Sequence, residues 1–134
     1  RYNGVMSMER NIITINEYGS IILTEDIAGI WMGEPELVEL FGVIAPALRA
    51  AIRAVYKSGV LNEHEGQKYV RLENGYHADV FSFPMIVALA FRINSSGAEQ
   101  MRKILLERLY LRKEKASIFF SLGMNSMEAP KYQA

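Results

Sequence analysis

Hydrophobic positions recur first with a period of two and then with a period near 3.6, and the change of period divides the chain. Across NIITINEYGSIIL (Asn11 to Leu23), Ile13 and Ile15 alternate with Thr14 and Asn16, and Ile21 to Leu23 resume β-branched character after a Glu-Tyr-Gly-Ser turn. This predicts a hairpin over 11–23 with one face on a core. In TEDIAGIWMG, Thr24 is placed as a cap, but Gly29 and Gly33 lie too close together for a long helix. We read a short turn or irregular link whose Ile27, Ile30, Trp31 and Met32 plug the core. From Glu34 the helical period begins: Pro35 suits a first turn, Leu37, Val38, Leu40 and Phe41 form a stripe, and Gly42 ends it. A second helix is predicted from Ala45 or Pro46 to Lys57 or Ser58, with Leu48, Ala51, Ile52 and Val55 inward and Gly59 as terminator. Two short helices across a glycine corner, over 34–59, match a helix-turn-helix, whose second helix enters the DNA major groove.

Lys68 to Leu72 and His77 to Phe83 then alternate on either side of Glu73-Asn74-Gly75-Tyr76. Asn-Gly tolerates positive φ at both positions and is the strongest short-range hairpin signal, so 68–83 reads as a wing. Phe83-Pro84-Met85 opens a helix that is apolar nearly all round through Phe91, which marks it as the central buried one. Ser95 or Ser96 caps a last long helix with Glu99 as capping-box partner. Its Met101, Ile104, Leu105 and Leu109 point inward and its Arg102, Lys103, Arg108, Arg112, Lys113 and Lys115 outward. Ile118, Phe119, Phe120 and Leu122 form a second apolar patch, to be covered by a dimer contact or by the tail, and 123–134 reads as a loose tail. The fold class is therefore α+β: a winged helix-turn-helix with an N-terminal β-hairpin and additional C-terminal helices, one domain over 1–122.

Composition narrows the chemistry. The 134 residues suit one domain, and 50% apolar with 22% charged residues is a globular composition. With no cysteine and only His64 and His77, there is no disulfide framework, no thiol nucleophile and no strong zinc set; no metal or cofactor is expected. Fifteen basic and fifteen acidic groups cancel, but unevenly. Residues 1–40 carry two basic against seven acidic groups, 41–62 three basic and no acid, 63–79 two against four, and 80–115 seven against three. Local charge within a Debye length of about 8–10 Å decides what approaches a surface, so a neutral chain can still present a basic face. Arg49, Arg53 and Lys57 recur every fourth residue along one edge of the second helix, beside small Ala50 and Ala54. That row suits phosphate oxygens and a bidentate guanine contact; a solvated helix face or a protein contact is the alternative. On the wing, Lys68, Arg71 and Tyr76 could join it. Glu65, Glu73 and Asp79 oppose that, leaving a purely structural wing as the other reading. Arg92, Asn94, Ser95 and Gln100 are expected to form a polar knot between the last two helices, where helix ends leave backbone groups unpaired.

The run VFSFPMIVALAFRINSSGAEQMRKILLERLY (80–110) resembles the bacterial RhuM virulence family on Phe91, Arg92, Ile93, Asn94, Ser95, Gln100, Met101 and Arg102. Glu36 through Gly59 is similar to that family's winged helix-turn-helix portion, with its Leu-Phe-Gly corner and a helix running into Ile-Arg. The resemblance spans about residues 30–112 and implies a DNA-binding fold related to phage antirepressor-like domains. Met101 stands where the family carries an aromatic, its tryptophan after Arg102 is absent, and so is its long C-terminal region, which suggests a shortened relative.

No catalytic set emerges. His64 lies between Glu63 and Glu65, and His77 two residues before Asp79, but neither accompanies a motif serine. Gly29-Ile-Trp-Met-Gly33 lacks the lysine and the strand context of a P-loop. The sequence leads us to expect a non-enzymatic, sequence-specific DNA-binding protein of transcription-regulator or phage-antirepressor type. The alternative is a protein–protein interaction module on the same scaffold. Double-stranded DNA and a second copy of the chain are the expected partners, with no small-molecule substrate. No stretch approaches 18 apolar residues, so no membrane association and a cytoplasmic location are expected. A chain opening on Arg1 rather than Met is expected to continue upstream.

Overall fold

The computed structural model describes the backbone of residues 9–121 and the side chains of residues 9–111. The patch at Ile118 to Leu122 and the tail 123–134 lie outside the described side chains. The architecture is α+β, with a two-stranded hairpin, a three-stranded antiparallel sheet and five helices among the described residues.

The hairpin pairs β1 (Thr14–Ile15) with β2 (Ile21–Ile22). Asn16 shapes its turn, its Oδ1 accepting from the N–H groups of Tyr18 (2.8 Å) and Ser20 (2.9 Å). Ile13, Ile21 and Leu23 are buried, whereas Ile15 and Ile22 remain exposed. The link read as a short turn or irregular segment contains a turn and then a strand. A 3-10 turn at Ile27–Gly29 leads into β3 (Trp31–Gly33), which pairs antiparallel with residues 80–82. Three residues are too few to display an alternation, and the partner strand lies some 50 positions away in sequence, so β3 is written in the pairing and not in the local pattern. Ile30 and Met32 do enter the core, while Ile27 and Trp31 are only half-buried.

α1 (Glu34–Phe41) and α2 (Ala45–Ser58) meet at Gly42, whose φ of +66° lets its N–H close on Val38 O. Pro35 and Pro46 both occupy first turns, where the missing N–H leaves no gap. A short helix, α3 (Glu63–Gly66), follows; Asn62 Oδ1 accepts from Glu65 N–H (2.9 Å), and Glu65 Oε1 accepts from Asn62 N–H (3.2 Å). This reciprocal cap was not anticipated, because an Asn-x-x-Glu without an apolar run after it carries little signal. β4 (Gln67–Arg71) and β5 (His77–Ser82) form the second hairpin, with Gly75 at φ +90° in its turn. The sheet order is β3-β5-β4.

α4 (Phe83–Ala90) is capped by Ser82 and buries Met85, Ile86, Leu89 and Ala90. Together with Leu37, Leu40 and Phe41 of α1 and Leu48, Ile52 and Val55 of α2, these side chains make the core. The chain divides into two compact units, the first ending at Arg102 and the second beginning at Lys103. α5 (Ser96–Ser121) starts within the first, where Ala98 and Met101 are fully buried. A Cβ at Gly97 would run into the carbonyl oxygen of Leu40 and come within 2.9 Å of Phe41 Cα. Only glycine allows this approach of α5 to the end of α1.

Candidate nucleic-acid interface

α2 carries two faces because its apolar residues recur at helical spacing. Leu48, Ile52 and Val55 are buried, while Arg49, Arg53 and Lys57 are exposed on the other side with Ala47 and Ala50 beside them. Ala47 and Ala50 add no more than a β-carbon each beside the cationic row. The three cations differ in their freedom. Arg49 Nη1 donates to Glu34 Oε2 at the start of α1, and both side chains keep contact with water, 50% and 34% exposed. Arg53 and Lys57 make no hydrogen bond or ion pair among the described residues. Lys57 sits in the last turn of α2, where a cation is favoured by the helix dipole.

Strand alternation sorts the second hairpin into two faces. Gln67, Tyr69 and Arg71 lie opposite Phe81, Asp79 and His77, whereas Lys68 and Val70 lie opposite Val80 and Ala78. Lys68 belongs with Trp31 on the second face, its ammonium 4.1 Å from the centre of the Trp31 ring. Arg71 is on the first face and half-buried, and Tyr76 is 74% exposed at the turn. Lys68, Arg71 and Tyr76, expected to act together, are thus divided between two faces and a turn. Gln67, on the first face, reaches α2: Tyr56 Oη donates to Gln67 Oε1 at 2.6 Å. Partial burial, then the negative charges of Glu63 and Asp79, push the Tyr56 hydroxyl up to about 12. Tyr69, which sequence reasoning passed over, and His77, weighed there only for catalysis, stack their rings on this face with centroids 5.6 Å apart and planes 18° from parallel. Their spacing across the Asn-Gly turn carried the signal, since i and j positions of one face follow from the turn.

The junction between α4 and α5 is built by one expected member of the knot, Ser95, and by Arg102, which was not among them. Ser95 Oγ donates to Phe41 O (2.7 Å) and accepts from Ala98 N–H (3.1 Å). Arg102 Nη1 donates to Ala90 O (2.7 Å) and Ile93 O (3.1 Å), satisfying carbonyls at the end of α4. Arg92, Asn94 and Gln100 are exposed, and their side chains make no hydrogen bond or ion pair among the described residues. Arg102, nearly two turns into α5, takes the role expected of Arg92, because its side chain reaches back to the carbonyls at the α4 terminus. The predicted capping box is also absent: Ser95 serves Ala98, and Glu99 stands one residue too far along.

Acid surrounds the start of α1. A cavity of about 530 Å³ is lined by Arg10, Glu34, Glu36, Glu73 and Asp79 among others. Arg10, its side chain only 7% exposed, donates to both oxygens of Glu36 (2.7 and 3.1 Å) and to Trp31 O (2.9 Å). Glu36 Oε1 in turn accepts from Gly33 N–H at 2.8 Å, at the helix start. The Glu36 hydrogen bond holds the Arg10 guanidinium above its ordinary range. A backbone hydrogen bond, followed by the charge of Arg10, lowers Glu73. Arg10 thereby staples the N-terminal segment to α1, a role no local pattern announces across 26 residues. The cavity would repel phosphate, so it bounds any anionic footprint on this side.

No group of three or more His, Asp or Glu is placed to hold a metal ion among the described residues. None of their helices is long and apolar enough to cross a membrane. Comparison with known proteins finds no family model, curated protein or solved structure that matches the chain.

Proposed function

We propose that the protein binds duplex DNA through the exposed face of α2, as a winged helix-turn-helix regulator of transcription-factor or phage-antirepressor type. One observation carries the reading: Arg49, Arg53 and Lys57 form an exposed row on the second helix of a glycine-cornered pair, flanked by alanines, with no acid between residues 40 and 62. Order and register add support, because a strand, two helices and a hairpin closing a β3-β5-β4 sheet is the layout of a winged helix. The reading assigns no catalysis and no cofactor. Its test is enrichment from a random-sequence duplex pool at low salt. Arg49, Arg53 and Lys57 replaced together by alanine should abolish enrichment and flatten the salt dependence, since each neutralised phosphate releases about 0.9 counterion. A parent chain that enriches nothing overturns the proposal.

A second reading, a protein-interaction module, is favoured by Leu106, Leu109, Tyr110 and Leu111, all 55% exposed or more on α5. Apolar side chains in that number on one helix suit a self-complementary two-fold contact, and a dimer would double the phosphate contacts of a neutral chain. Light scattering that returns 15.2 kDa at micromolar concentration removes the dimer.

A further inference from the structure

We infer that Arg53 reads a guanine in the major groove and that Arg49, held by Glu34, contacts only phosphate; this rests on the DNA-binding reading above. The buried Leu48, Ile52 and Val55 fix the inward direction of α2. At 3.6 residues per turn the opposite, outward line passes within about 30° of Pro46, Ala50 and Lys57, all of them exposed. Arg53 stands about 45° from that line and Arg49 about 90°. Their partners agree with this placement. Arg49 donates to Glu34 at the start of α1, so its flank of α2 is the one turned to α1. Arg53 is exposed and makes no hydrogen bond or ion pair among the described residues.

Position along the helix separates the cations further. A helical side chain leans toward the N-terminus of its own helix and covers the turn before its Cα. Arg53 accordingly leans past Ala50, which offers no more than a β-carbon, toward the first turns of α2. In a helix-turn-helix these are the turns that meet base edges, while the first helix crosses the sugar-phosphate backbone. Lys57 lies about one turn farther from them, at the other end of α2. Arg49 is early enough in α2, but its tie to Glu34 draws it toward α1 and so toward the backbone. Guanine presents N7 and O6 side by side in the major groove, and a planar guanidinium fork spans both acceptors. Arg53 is the arginine whose fork is both outward-facing and unpaired among the described residues, so sequence preference rests on it. Arg49 and Lys57 supply attraction without preference.

The experiment takes the duplex that the parent enriches from a random pool and replaces each of its guanines in turn. One set of copies carries 7-deazaguanine, which lacks the N7 acceptor; the other carries inosine, which keeps N7 and O6 and lacks only the minor-groove amino group. Fluorescence anisotropy reads the affinity of each copy relative to the unmodified duplex. For the parent, 7-deazaguanine should weaken binding about fivefold at one guanine of each site, and inosine at that guanine should leave it unchanged. Arg53→Ala should bind the 7-deazaguanine copy and the unmodified duplex alike. Arg49→Ala and Lys57→Ala should weaken both duplexes and keep the parent's ratio between them. All three side chains are exposed, and each ratio compares two duplexes on one protein, so a small change in stability does not move it. An enriched duplex without guanine, a parent indifferent to 7-deazaguanine at every position, an Arg53→Ala variant that keeps the ratio, or an Arg49→Ala variant that loses it overturns the inference while binding through α2 stands. Inosine as damaging as 7-deazaguanine puts the contact in the minor groove and overturns it as well. A parent that enriches no duplex overturns both readings at once.

Discussion

Glu34→Gln is the perturbation that separates a DNA-facing α2 from a solvated one. Glu34 holds Arg49 at the end of the cationic row, with the two side chains 34% and 50% exposed. An ion pair that wet is worth about 0.2–1 kcal/mol to the fold, and a carboxylate in the first turn of α1 adds about 0.3–1 kcal/mol through the helix dipole. The variant should therefore stay folded, with a melting temperature lower by no more than a few degrees. Toward DNA the sign reverses. Phosphate must compete with Glu34 for Arg49, and removing the competitor returns about 0.2–1 kcal/mol, which is up to about fivefold in affinity. If Arg49 stays on Glu34 in the parent complex, two cations face phosphate and log affinity falls against log salt with a slope near −1.8; a freed Arg49 takes it to about −2.7. Anisotropy with an unselected duplex at several salt concentrations reads both quantities. A variant that is folded but binds more weakly refutes the reasoning, because Glu34 would then be orienting Arg49 for its contact instead of competing with it.

Gly97→Ala drives a methyl group into Leu40 O and Phe41, and it should cost about 3 kcal/mol, the upper end of overpacking, read as a loss of roughly 10 °C in thermal melts. Arg102→Ala should cost about 2 kcal/mol by stripping the charged donor from the Ala90 and Ile93 carbonyls, while Arg92→Ala stays within about 0.5 kcal/mol; the reverse ranking would restore the knot as first expected. Tyr56 holds its proton more tightly in the fold, so the stability it contributes is fully present below pH 10 and is lost as the pH rises through about 12. Tyr56→Phe should delete the highest step of the tyrosinate absorbance titration, and a curve that keeps this step assigns it elsewhere.

What could be read from the chain beforehand depended on whether the cause was local. Gly42, Gly59 and Gly75 sit where only positive φ continues the chain, and each marked its corner in sequence because the constraint acts within two residues. Pro35, Pro46 and Pro84 marked helix starts for the same reason. Where the cause was distant, pattern gave nothing. β3 exists through its pairing with β5, Arg10 is fixed by Glu36 and Trp31, and Gly97 is required by a backbone carbonyl 57 positions earlier. The candidate interface lies between these cases. Its exposed cationic edge was legible because helical spacing alone generates it, but Glu34's hold on Arg49 depends on how α1 and α2 meet. The hairpin follows a different rule: charge singles out Lys68, while the face of a strand is set by parity. Counting from the Asn-Gly turn separates odd positions from even ones, and it puts Tyr69, Arg71 and His77 together and Lys68 apart before any side chain is placed. Parity about the turn, and not charge, therefore decides which side chains of this hairpin share a face.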